Sequence, residues 1–153
     1  MLVGCFALNA AAAPTPEALS REVAAQGPRA VLTRLWNDQR QFDAVCDGIQ
    51  TGDRRWLEVA RLLKQASDAG SALSLNYSVA RAIPRAPERV LRLIGDGFTV
   101  NDVCTSPYIE PKPGVAEQYQ RKAAGALATV RKPELASVRA ACLAAIAAPL
   151  GKE

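Results

Sequence analysis

Histidine is absent from the chain. That removes the usual proton carrier near neutral pH and the commonest metal ligand. Ser-His-Asp and Cys-His catalytic devices are therefore excluded, as are the common His-bearing zinc sites. Aromatic residues make up only 5% of the sequence, and no segment alternates apolar and polar long enough to read as a strand. No CxxC pair or ligand-spaced cysteine cluster occurs, so no metal is expected. No GxxxxGK[ST] loop occurs either, and Gly95-Asp96-Gly97 is too short to cradle a phosphate. No cofactor is expected. The 19 basic residues exceed the 15 acidic ones by only four, spread along the chain and not interleaved with aromatics. A nucleic-acid groove is not expected from that pattern.

What is present is a chain of 153 residues, about half apolar and dominated by alanine, leucine and valine, enough for one domain with a core. It opens MLVGCFALNAAAA. Leu2 to Leu8 is a short apolar run, and Ala11-Ala12-Ala13 fits the small-x-small pattern before a cleavage point. Residues 1–13 therefore read as an export signal and residues 14–153 as a single helical domain. The run is too short to span a bilayer. The same letters admit a second export reading, a lipobox at Leu2-Val3-Gly4-Cys5 with Cys5 lipidated, but FALNAAAA is more signal-like than a polar tether. Cleavage after Ala13 is the reading taken, and it places the protein in the periplasm or outside the cell.

Export sharpens the cysteine argument. Removal of Cys5 leaves Cys46, Cys104 and Cys142 in a compartment where disulfides persist. Cys46 shares a helical face with Phe42, Val45 and Ile49, so a buried, inert thiol is expected there. Cys104 and Cys142 are the expected pair, closing a loop of about 40 residues worth roughly 3–4 kcal/mol by chain entropy.

Punctuation divides the rest into helices. Gly27 stops the first, and Pro28 starts a second with Val31, Leu32, Leu35 and Trp36 inward. A third runs from Gln39 to Ile49. Asp53 caps a fourth, in which Trp56, Val59, Ala60 and Leu63 repeat at helical spacing. Gly70 is expected to end that helix and Ser71 to cap the next, which carries Leu75, Val79 and Ile83 inward. Pro84 stops it, Pro87 begins a short helix, and Thr99 to Asp102 matches a capping box. Two alanine-rich helices follow, residues 115–131 and 134–147, divided by Lys132-Pro133. The expected fold is an all-α compact bundle of six to seven short helices in antiparallel or orthogonal pairs, loosely repeat-like but without a fixed period. Trp36 and Trp56 are expected in the core.

Between two of these helices lies VCTSPYIEPKPG, Val103 to Gly114. Its three prolines fix φ and remove backbone donors, and a stiff segment loses less entropy on meeting a partner. Tyr108 and Glu110 are expected on one side of an extended chain, offering a ring and a carboxylate. The plainer reading anchors Tyr108 and Ile109 on the core and leaves Glu110 in water. Arg81, Arg85, Arg89 and Arg92 form a possible stripe across the Pro84 bend, while Asp53, Arg54, Arg55, Glu58 and Arg61 read as an internally paired helix face.

Two functions fit. The first is an exported, non-catalytic protein that binds another protein as an adaptor, inhibitor or immunity-type partner, with Tyr108 and Glu110 as anchors and Arg81, Arg85 and Arg89 steering. The alternative is a small hydrolase of cell-wall or carbohydrate material using Asp96, Asp102 or Glu110, which needs two converging carboxylates. A helical nucleic-acid binder is a third reading that requires the export signal to be false.

Overall fold

The computed structural model describes residues 12–148. Nearly all of the expected signal segment, with Cys5, lies outside the described residues. Within them the chain is all-α, in nine helices: α1 Pro16–Gln26, α2 Pro28–Asn37, α3 Gln39–Gln50, α4 Arg54–Lys64, α5 Ala69–Ala82, α6 Pro87–Leu91, α7 Val100–Val103, α8 Val115–Ala128 and α9 Ala136–Ala147. A 3-10 turn, Pro133–Leu135, leads into α9. The described residues contain no strand, only an isolated bridge between Ile94 and Phe98. No helix among them is long and apolar enough to cross a membrane.

Most helix starts follow side chains that serve the orphan N–H groups of the first turn. The Asp53 carboxylate accepts from the N–H groups of Arg55 and Trp56 and starts α4. Thr99 and Asp102 exchange backbone and side-chain bonds around the start of α7, as the capping box requires. Proline supplies the first residue of α1, α2 and α6, where its missing N–H costs nothing. The start of α5 departs from the sequence reading. Asp68 is its cap and Ser71 the reciprocal third-position partner, so Gly70 lies in the first turn of α5 and does not end α4. A side chain at Gly70 would meet the Trp36 ring at 3.2 Å, so glycine serves packing there.

The core is one continuous cluster in which α3 packs on α5, α8 on α9, and α1 on both α2 and α4. Phe42, Val45 and Ile49 of α3 face Leu75, Val79 and Ile83 in that cluster, all essentially removed from water. Each such side chain contributes about 1.5–3 kcal/mol of burial. Trp36 is a correction: it is 41% exposed, and packs edge-on to Phe42 while Leu35 takes the inner position. Trp56 is half-buried, its indole lying over Gly48, and Leu57 goes to the core instead. Both tryptophans thus lie at the edge of the core, Trp36 against Phe42 and Gly70 and Trp56 against Gly48.

A tight glycine contact fixes the ground of the site described next. Gly52, between α3 and α4, has φ 76°, and a Cβ there would lie 2.6 Å from the Cβ of Ala86. Only glycine permits both the left-handed turn and that contact. The α3–α4 turn is thereby pressed against the α5–α6 turn, which brings Arg85 and Arg89 over the end of α3.

Candidate functional site

Cys104 and Cys142 are joined in a disulfide that ties the loop after α7 to the middle of α9. Both sulfur-bearing residues are buried, so the strap is fixed from inside the protein. The next anchor is Arg81, in the last turn of α5. Its Nη2 donates to the Pro107 carbonyl at 2.7 Å, and its guanidinium lies 5.3 Å from the centroid of the Tyr108 ring. Tyr108 also meets Tyr119 of α8 edge-on, with centroids 5.9 Å apart. Tyr119 in turn is buried and its hydroxyl donates to the Ala80 carbonyl at 2.8 Å. Burial holds its phenol protonated, well above the usual value.

The loop is therefore clamped at Cys104, Pro107 and Tyr108, and only its tip is free. Ile109 is 70% exposed, and Pro111, Lys112 and Pro113 follow it in water. Glu110 has φ 45°, a left-handed conformation uncommon for a side-chain-bearing residue. This corrects the expected geometry: the chain is not extended at Glu110, so Tyr108 and Glu110 do not form a shared face. Tyr108 is the anchor and Glu110 is exposed beyond it. Ile109, expected to pack inward in the plainer reading, points to solvent.

Below the loop lies a cleft of about 420 Å3, whose walls include Arg81, Arg85, Tyr108, Tyr119 and Lys122. Three of the five binding candidates from the sequence, Tyr108, Arg81 and Arg85, thus converge here. Glu110 and Arg89 do not line it. The arginine run is not a free stripe. Arg85 donates to the Gln50 carbonyl at 3.3 Å and Arg89 to the Gly52 carbonyl at 2.8 Å, covering the carbonyl end of α3. Arg92 bridges Glu88 and Glu134. Positive groups at helix C-terminal ends are favoured by the helix dipole. Lys122, which no motif or spacing singles out, joins Arg81 and Arg85 because α8 packs beside the loop.

Two carboxylates of the hydrolase reading, Asp96 and Asp102, have other partners. Asp102 accepts from the Thr99 N–H at 2.8 Å, the Thr99 hydroxyl at 2.9 Å and the Asn76 amide at 2.9 Å, with Lys64 at 3.6 Å. Partial burial opposes its charge, but the bonds from Thr99, the Lys64 ammonium and the Asn76 amide outweigh it and hold the carboxyl below its usual value. A group so held is an ionised structural cap and a poor proton donor. Asp96 lies on the turn of Gly95 and Gly97 and faces Arg61 at 3.6 Å. Glu110 sits on the separate proline-rich loop.

Cys46 is half-buried on α3, less covered than the buried thiol expected, and is not paired with another cysteine among the described residues. Burial pushes its thiol up, against a smaller opposing hydrogen bond from Ser78, so it stays protonated at neutral pH. No group of three or more potential ligands able to hold a metal occurs among the described residues. No family model, no curated protein and no solved structure matches the chain.

Proposed function

We propose that this is an exported helical protein, periplasmic or secreted, that acts by binding another protein and not by catalysis. The observation that carries the reading is the clamped loop. A strap, a cation–aromatic contact and a buried tyrosine hold its base, while Ile109 stands 70% exposed at a proline-stiffened tip. A large apolar side chain presented on a pre-ordered segment loses little entropy on association and gains burial. The Tyr108 cleft beside it, lined by Arg81, Arg85 and Lys122, supplies polar contacts around that anchor.

The disulfide supports export, because such bonds persist outside the reducing cytosol. Residues 1–13 supply the signal in this reading. Intact mass of protein from the periplasmic fraction then starts at Pro14, with one bridge and one thiol at Cys46. A mass starting at Met1 with every cysteine reduced contradicts export.

Binding is tested with Ile109→Asp, a change at an exposed position that leaves the core untouched. Capture of a specific partner from the exported fraction should fall at least tenfold against wild type, about 1.4 kcal/mol or more. Equal capture by both proteins overturns the loop assignment.

A further inference from the structure

A second depression, of about 840 Å3, lies where the α5–α6 turn meets the end of α8 and the 3-10 turn. Four cations line it, Arg85, Arg89, Arg131 and Lys132, against a single acid, Glu88. Glu88 is bridged to Arg92 at 3.0 Å. Among the described residues no carboxylate lies in ion-pair range of those four cations, as is true of most cations of the chain, although Glu134 is near enough to Lys132 for that charge to help hold its carboxyl low. Like charges gathered in one concavity repel each other and focus a positive potential into it.

The arginines are also held in place. Arg85 and Arg89 donate to the Gln50 and Gly52 carbonyls, and Arg131 donates to the Ala128 carbonyl at 2.6 Å. Each uses one N–H of its fork and keeps the remaining donors open. Pinned side chains have less rotamer freedom left to lose when a ligand arrives. Helix-end capping accounts for where the arginines sit. It does not account for Lys132, which lines the same concavity and whose side chain makes no hydrogen bond among the described residues. Arg85 also lines the Tyr108 cleft, so the two depressions adjoin.

We propose that this groove takes an acidic segment of a protein partner, a run of Asp and Glu side chains laid along Arg85, Arg89, Arg131 and Lys132. The inference rests on the protein-binding reading above and adds the partner's chemistry. Carboxylates match the guanidinium fork in bidentate geometry, and a concave groove suits a chain segment better than a planar lipid surface. The exposed Ile109 tip adjoins the cleft next to it and supplies the apolar part of the same contact.

The test titrates labelled oligoglutamate into the full-length protein, with anisotropy as the readout at low and physiological salt. Saturable binding is expected, weakening as salt rises. Arg131→Gln with Lys132→Gln should weaken it about tenfold, and Lys132→Glu alone, at an exposed side chain with no hydrogen bond among the described residues, by severalfold. Arg29→Gln with Arg40→Gln removes the same charge from exposed positions on α2 and α3 and should leave affinity within about twofold. Equal loss from both pairs means that net charge alone is read, and it overturns the groove. So does the absence of saturable binding, or binding only to phosphatidylglycerol vesicles. The two readings fail separately: Ile109→Asp leaves oligoglutamate binding intact, while the groove variants leave the loop clamp untouched.

Discussion

Arg81 holds Tyr108 from two directions. Its guanidinium faces the ring at 5.3 Å from the centroid, and the same group donates to the carbonyl of Pro107, the residue before it. One side chain at the end of α5 thus fixes both the backbone and the side chain of a loop 26 residues further along. Tyr119, bonded to the carbonyl of Ala80, the residue preceding Arg81, closes the other side.

Arg81→Ala removes both contacts at once. The cost is about 1–2 kcal/mol, from the lost cation–aromatic attraction and the lost charged hydrogen bond. Because neither contact belongs to the core, the loss is local. Hydrogen exchange should rise in residues 103–114 and stay unchanged in α3 and α4. Unchanged exchange in the loop would mean that the disulfide alone fixes it.

The disulfide carries a global share. Cys104 and Cys142 are 38 residues apart in sequence, a loop whose closure is worth roughly 3–4 kcal/mol by chain entropy. For a protein of this size that corresponds to a fall in Tm of about 10 °C when both are replaced by serine. Melting curves of wild type and the double variant, recorded without reductant, check it; coincident curves contradict it.

Asp102 gives the acid limb of stability a specific origin. Its carboxyl is held below its usual value, since the Thr99, Lys64 and Asn76 contacts outweigh partial burial. The stabilisation is complete above the unfolded value, near pH 4, and is lost as pH falls through the lower folded value. Asp102→Asn should cost about 1–2 kcal/mol at pH 6, and the gap to wild type should shrink as pH falls through the lowered folded value. Urea midpoints across that range measure it, and a gap that does not change with pH removes Asp102 as the source.

Much of this fold was legible because its signals are local. Asp53, Thr99 and the helix-opening prolines act within one turn, and Leu75, Val79 and Ile83 repeat at helical spacing on a helix buried along that face. The 104–142 pairing was legible by elimination once Cys46 fell on an apolar helix face. What stayed hidden depends on distance through space. Spacing places Arg85 and Arg89 on a helix but not on carbonyls 35 and 37 residues earlier, which the Gly52–Ala86 contact brings within reach. Lys122 lies on α8, Arg131 and Lys132 lie in the connection that follows it, and all three join the cationic surface only when α8 packs beside α6. Trp36 was misplaced because helical periodicity does not report that its inner neighbour, Leu35, already fills the core. The exposure of Ile109 follows from the clamp on Tyr108 and from the left-handed turn at Glu110, neither of which composition can announce.

The most direct measurement places a photo-crosslinking residue at position 109 in the living exporting cell, with a second at position 140, exposed on α9, as control. The account predicts one discrete protein adduct from 109, absent from 140 and weakened by Arg131→Gln with Lys132→Gln. Adducts of equal yield from both positions, or none from 109, contradict a binding role for the clamped loop.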